Sequence, residues 1–355
     1  MRVIVLGAGA IGCWVGANLS RNGVSVMFVG RAPFVREMER NGLTVHLAGG
    51  GQWRLRHPVA ATEISAEAAA LADAVFICTK AYAVDEAIKQ LQDTQLAKKA
   101  WVACFQNGLG SEERAAAAFG AQRILAATTT AAVSVTAPAE IRLENANGGF
   151  GIAAMDKSLW SRDMDAAAAR LSNFLKAEIY TDYRAMKWSK LLLNLVGNAS
   201  SAILDMPLRD MYKDKRLLNL EFRMLREAIA VMEKIPIKVL NLPGGEAAKL
   251  AEALGKYPDF VLRLALKGRF ISGRGNKRPS LYADAAAQTG RSEVEFLNGQ
   301  VYAWGKEVGV ETPVNAGLTH VLLDLVHGRA KPDTWRGQVE KLLAACAAQH
   351  TQTAN

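Results

Sequence analysis

Val3-Ile4-Val5-Leu6-Gly7-Ala8-Gly9-Ala10-Ile11-Gly12, continuing through Cys13 to Asn22, is the stretch that decides the fold. Four consecutive apolar residues read as a strand buried on both faces, and the glycines fall where such a strand turns into a helix. In that context each glycine has a task. Gly7 permits the tight turn, Gly9 lets a pyrophosphate approach the backbone, and Gly12 lets helix and strand pack closely, while the first N–H groups of the helix stay free for an anion. A glycine-rich turn that binds nothing is the competing reading. The second strand, Val24–Val29, runs into Gly30-Arg31. A carboxylate there would accept hydrogen bonds from a ribose 2′-hydroxyl, whereas the Arg31 guanidinium suits a 2′-phosphate. Gly7, Ala8, Gly9, Ala10, Ile11, Gly12 and Arg31 together point to NADP(H), and hence to nicotinamide-dependent oxidation or reduction.

Outward from this unit, short β-rich runs alternate with Ala-rich helical stretches to about residue 181. The strands expected are Val3–Leu6, Val24–Val29, Ala74–Thr79, Trp101–Phe105 and Ile124–Ala127, with an antiparallel pair at Ile141–Glu144 and Gly149–Ala153. From about Trp188 onward apolar residues recur at helical spacing, broken at Pro207, Pro236, Pro243, Pro279 and Pro313. The expected fold class is α/β: a Rossmann-type doubly wound parallel sheet over 1–181, then an all-helical domain over 182–355.

Composition narrows the function. The 355 residues are half hydrophobic and 22% charged, with a mean hydropathy near zero, as in an ordinary globular chain. The run Val3–Leu19 is uncharged, but its regular glycines and the strand that follows set it apart from a signal peptide, and no other stretch would span a membrane. Cys13, Cys78, Cys104 and Cys346 form no CxxC pair and no zinc spacing with the histidines, so reduced thiols in the cytoplasm and no metal are expected. The net charge of +9 would suit a polyanion. Its distribution does not, because Arg209–Arg226 interleaves with Asp210, Asp214 and Glu221 as on a solvated helix face. Lys267, Arg269, Arg274, Lys277 and Arg278 carry glycines and no carboxylate, and read as a basic loop near an anionic ligand.

Two strands end in polar residues that would project over a cofactor: Lys80, after Ala74–Thr79, and Asn107, after Trp101–Phe105. An exposed lysine and a plain Asn-Gly turn are the competing readings. The chemistry is read from Trp188-Ser189-Lys190-Leu191-Leu192-Leu193-Asn194-Leu195-Val196-Gly197-Asn198. Lys190, Asn194 and Asn198 recur every four residues, with Ser201 near the same line, so one helix would carry a polar stripe on an apolar body. Such a stripe must face water, itself or a ligand. A lysine there can protonate a carbonyl oxygen as a hydride arrives. The solvated outer side of a surface helix is the alternative.

These residues resemble the ketopantoate reductase (2-dehydropantoate 2-reductase) family over nearly the whole chain. The markers are Gly7–Gly12 with Arg31, Thr79-Lys80-Ala81, Asn107-Gly108-Leu109-Gly110, Thr128-Thr129-Thr130, Trp188-x-Lys190-x3-Asn194-x3-Asn198, Ser292-Glu293-Val294-Glu295-Phe296-Leu297-Asn298-Gly299 and Thr312-Pro313-Val314-Asn315. The resemblance implies a Rossmann domain, a helical domain, and NADPH-dependent reduction of a 2-oxo acid to a 2-hydroxy acid, ketopantoate to pantoate in pantothenate biosynthesis. It makes Lys190 the proton donor, has Asn107 touch nicotinamide and substrate, and gives Asn194, Asn198 and Ser280 to the substrate. Glu293 is implied beside the cofactor ribose and the catalytic lysine. On the residues alone, Ser280 reads as a helix N-cap and Glu293 as a first-turn carboxylate. The chain departs from the family pattern at Met206-Pro207-Leu208, in a longer basic stretch over 236–279, and in an Asp284–Glu293 interval one residue longer. The expected partner is a small 2-oxo acid, with neither nucleic acid nor membrane, and a homodimer is allowed. A reductase of another 2-oxo acid and a non-catalytic NADP(H) sensor are the alternatives.

Overall fold

β1 (Arg2–Leu6) is an interior strand of the first sheet, pairing in parallel with β2 (Ser25–Val29) on one side and with Ala74–Ile77 on the other. Its alternate residues go to opposite faces, and each face has its own core. Val3 and Val5 pack with Val26 and Phe28, while Ile4 and Leu6 pack with Val75 and Ile77. Burying each such side chain contributes about 1.5–3 kcal/mol, so a continuous apolar run is what a strand covered on both sides requires.

The computed structural model describes residues 1–156, 158, 162–272 and 280–352. Among them the remaining strands are β3 (Leu43–His46), β4 (Gln52–Leu55), β5 (Val59–Ala61), β6 (Ala74–Ile77), β7 (Trp101–Cys104), β8 (Ile124–Thr129), β9 (Val133–Ala137), β10 (Glu140–Leu143), β11 (Phe150–Ala154) and β12 (Glu178–Tyr180). Eight of these described strands form a sheet in the order β12-β11-β8-β7-β6-β1-β2-β5. Chain order reverses between β1 and β6, so the glycine turn after β1 and the end of β6 lie at the switch point where doubly wound sheets bind ligands. The helices of this part are α1 (Ala10–Arg21), α2 (Ala32–Asn41), α3 (Ala66–Leu71), α4 (Val84–Asp93), α5 (Ser111–Phe119), α6 (Arg162–Leu175) and α7 (Tyr183–Leu195).

The five expected parallel strands are present to within two residues at either end. The expected antiparallel pair is not. β11 joins the large sheet antiparallel to β8, while β10 pairs with β9 and with β3 in a second sheet, β4-β3-β10-β9. All five residues of β11 are buried, which only a strand covered on both faces can satisfy, whereas β10 mixes buried and exposed positions.

Beyond α7 the described chain is helical: α8 (Ala199–Leu204), α9 (Leu208–Met211), α10 (Lys215–Lys234), α11 (Ala247–Lys256), α12 (Asp259–Ser272), α13 (Ser280–Ala287), α14 (Asn298–Val308), α15 (Pro313–Val326) and α16 (Val339–Gln352). Two units result. One comprises Met1–Gln106, Gly110–Lys187 and Leu242–Gly245; the other Asn107–Leu109, Trp188–Asn241 and Glu246–Asn355. The division falls inside α7, after Lys187. No helix among the described residues is long and apolar enough to cross a membrane.

Candidate active site

In the N-terminal unit the glycine turn is built as its residue types require. Gly7 has φ +107°, and a Cβ there would lie 2.7 Å from the Thr79 nitrogen. A Cβ on Gly12 would lie 2.1 Å from the Gly7 carbonyl oxygen. Gly9 differs, since a Cβ there would meet nothing within 4 Å among the described residues. Two glycines are thus filled in by the protein, and the middle one, at the N-terminal cap of α1, faces open space. The Val29 carbonyl at the end of β2 accepts N–H bonds from Gly7 and Ala8 at 2.9 and 3.0 Å, and exposed Arg31 follows two residues later. Lys80, half-buried, follows Thr79 at the start of a 3-10 turn. At the ends of β6 and β7, Thr79 Oγ1 and Gln106 Oε1 are buried without a hydrogen-bond partner among the described residues. An open backbone cradle beside orphaned polar atoms is what a dinucleotide with hydrogen-bonding groups would fill.

In the C-terminal unit, Asn194 Nδ2 donates to Asn107 Oδ1 at 3.0 Å. The Leu109 N–H donates to the Phe296 carbonyl at 3.1 Å, and Gly108 lies so close that a Cβ would sit 2.2 Å from that oxygen. Asn107, Asn194 and the turn Glu293–Phe296 are therefore gathered together. Lys190 and Asn194 are half-buried one helical turn apart on α7, between buried Leu191, Leu192 and Leu195. Glu293 is buried, and its N–H donates to the Asp284 carboxylate at 3.0 Å. Ser292 Oγ donates to the same carboxylate and accepts the Val294 N–H.

Asn198 does not continue the stripe as expected. Helix α7 ends at Leu195, Gly197 turns left-handed at φ +59°, and Asn198 becomes the cap of α8. The break is held by Glu221, whose carboxylate accepts the Gly197 N–H at 2.8 Å and the Ser200 hydroxyl. Leu208, from the atypical Met206-Pro207-Leu208, packs where a Gly197 side chain would stand. Displaced in this way, Asn198 Oδ1 accepts the Leu281 N–H at 3.2 Å and its Nδ2 reaches Ser280 Oγ at 3.3 Å. It binds the first turn of α13, in the manner of a cap supplied by another element. Ser201 Oγ donates to the Met206 carbonyl.

Two readings of charge need correction. Glu221 is buried rather than solvated, although Asp210 and Asp214 pair with Lys213 and Arg216 at the surface as expected. Lys267 and Arg269 lie on α12 and not in a loop, with Arg269 paired to Glu246. Arg274, Lys277 and Arg278 lie outside the described residues. Residues without an expected role also prove central. Asp284 ties Ser292 and Glu293 to α13, and Glu227 accepts the Val314 and Asn315 N–H groups, both at 3.0 Å, at the start of α15. The buried thiols of Cys13, Cys78 and Cys104 are pushed up by burial, which removes them as nucleophiles at neutral pH.

Burial also pushes the Glu227 carboxyl up, against the pull of its N–H donors. A carboxyl raised in the fold favours its protonated form there. The stability it lends is complete below the unfolded carboxylate value, about pH 4.3, and is lost as pH rises through the folded value. Glu227→Gln is therefore expected to flatten the fall in urea midpoint just above that pH, read by titrating both proteins in half-unit steps. An unchanged slope would remove Glu227 as its source.

A doubly wound sheet with an open glycine cradle, joined to a helical unit carrying a lysine–asparagine helix, defines an oxidoreductase of the dinucleotide-binding class. The chain belongs to the ketopantoate reductase family. Residues 3–157 match the family model described as Ketopantoate reductase PanE/ApbA, and residues 182–326 match the model of its C-terminal part. A 2-dehydropantoate 2-reductase of Pyrococcus horikoshii is 24% identical over 316 residues, covering 89% of this chain and 94% of that one. Among solved structures, a PanE/ApbA family ketopantoate reductase from Ralstonia eutropha superposes with a TM-score of 0.75 at 23% identity, covering 93% of this chain and 99% of that one. A D-mandelate dehydrogenase, solved with NADH and anilino(oxo)acetate, gives a TM-score of 0.74 at 20% identity, covering 92% and 99%.

Proposed function

We propose that the protein reduces a 2-oxo acid to the 2-hydroxy acid with NADPH, ketopantoate being the leading substrate. The observation that carries this reading is the Asn194–Asn107 bond, which ties the asparagine expected at nicotinamide and substrate to the helix that bears Lys190. When bound, the reduced nicotinamide supplies a hydride. The chain's part is to hold and protonate. The N–H groups at the start of α1 bind the pyrophosphate, Arg31 pairs with the 2′-phosphate, and Lys80 adds positive charge at the next strand end. Glu293 contacts the cofactor ribose. Asn107, Asn194 and Ser280 orient the substrate, Asn198 acts on it through its bond to Ser280, and Lys190 delivers the proton to the ketone oxygen.

A different 2-oxo acid is the second reading, favoured by Leu208, which places a buried apolar residue in the stretch after the stripe where the family pattern is polar. One experiment separates the possibilities: oxidation of NADPH and of NADH followed against a panel of 2-oxo acids, ketopantoate and aryl-substituted acids included. The expected result is turnover of ketopantoate with kcat/KM at least about tenfold higher for NADPH, the factor that one charge-assisted contact to a phosphate supplies. Equal or better efficiency with NADH removes the role given to Arg31. Cofactor binding without turnover of any acid would leave a sensor.

A further inference from the structure

Lys187, one turn before Lys190 on α7, is only 2% exposed, and so is a cation taken almost wholly out of water. Its ammonium meets two groups: Glu112 Oε1, itself buried in the first turn of α5, at 2.8 Å, and the main-chain carbonyl of Gln106 at 2.6 Å. Gln106 is pinned from its other end as well, its side-chain Nε2 donating to the Ile77 and Thr79 carbonyls at 2.8 and 3.1 Å. The residue covalently next to Gln106 is Asn107. A buried ion pair of this kind seldom adds net stability, because the desolvation of two charges offsets their attraction, and well-packed apolar replacements are often neutral or stabilising. What the pair does provide is direction. A charge-assisted bond at 2.6 Å holds the Gln106 carbonyl in one orientation and so fixes the peptide that leads into Asn107.

We infer that Lys187, neutralised by Glu112, is a positioning residue that acts through Gln106 to set the Asn107 amide for nicotinamide and substrate. This inference rests on the reductase reading given above. It explains why a lysine occupies a position where a leucine or methionine would pack at lower cost.

The test is a cycle of four proteins: the parent, Lys187→Met with Glu112→Leu, Asn107→Ala, and all three substitutions combined. Both members of the ion pair are replaced so that no lone charge stays buried to unfold the protein. Thermal midpoints of the parent and the double variant are expected to agree. In the parent background the double substitution should lower kcat/KM roughly ten- to hundredfold, the scale of a misplacement near one ångström. In the Asn107→Ala background it should cost less than about threefold, since the group it positions is already gone. Equal losses in both backgrounds, or no loss in the first, would overturn the inference and leave a structural pair. If the parent reduces no 2-oxo acid, the reductase reading fails separately. The dissociation constant for NADPH, measured by fluorescence on the same four proteins, then decides in the same way: non-additive effects uphold the positioning role, and additive effects end it.

Discussion

Lys190→Ala is expected to lower turnover of the 2-oxo acid by roughly two to four orders of magnitude, the contribution typical of a positioned general acid. The substitution removes a half-buried side chain from a helix whose buried face is made by Leu191, Leu192 and Leu195, so the fold should survive. Binding of NADPH should change little, because the phosphate contacts assigned to the cofactor belong to the glycine turn and Arg31. A large loss in kcat with an intact cofactor affinity and an unchanged melting temperature is the combined signature. Turnover within about threefold of the parent would sink the assignment of Lys190 as proton donor, whatever the substrate.

The second large effect separates two glycines that look alike in the sequence. Gly12→Ala would press a methyl group against the Gly7 carbonyl at 2.1 Å and against a Val5 methyl at 3.0 Å, contacts that force the strand and helix apart. It is expected to destabilise the protein by about 1–3 kcal/mol or more. Gly9→Ala meets nothing within 4 Å among the described residues, and Gly9 already has the φ of −91° and ψ of −164° that an alanine adopts freely. Stability should hold or rise slightly. The added methyl instead stands where the pyrophosphate would come, and losing a charge-assisted backbone bond there costs about 1.5–3 kcal/mol, or ten- to a hundredfold in NADPH affinity. Calorimetric melting and a fluorescence titration on both variants would show the contrast. A Gly9→Ala protein that binds NADPH as tightly as the parent would rule out this cradle as the phosphate site.

The large sheet was legible because β1, β6, β7 and β8 are short apolar runs of β-favouring residues, and burial on both faces leaves that mark in sequence. The second sheet was not, since β3 and β4 are four residues each, with β4 half-exposed and joined to β3 by glycines that read as loop. The sorting of β10 and β11 into different sheets depends on partners far along the chain. Within the candidate site, Lys190 and Asn194 lie one turn apart as periodicity requires. Asn198 escaped because a single left-handed Gly197, stabilised from another helix by Glu221, ends the period. Glu221 itself had a signal, being flanked three and four residues away by Leu217, Leu218, Met224 and Leu225, which makes it a carboxylate on the apolar stripe of α10. Lys187 had none. Its partners Glu112 and Gln106 lie 75 and 81 residues away, and no local pattern records such a pairing.

The capping of α13 by Asn198 bears on how the substrate range of such an enzyme could change. Ser280 shares its contacts with Asn198, and Asp284, one turn further along α13, holds Glu293 by its backbone. Positions 198, 280, 284 and 293 thus form one mechanical group, in which substitutions are expected to be epistatic. A library that varies Ser280 alone would also disturb the start of the helix and, through it, the glutamate. Re-engineering for a bulkier acid should therefore randomise these positions jointly, and new specificities should emerge as correlated sets of residues.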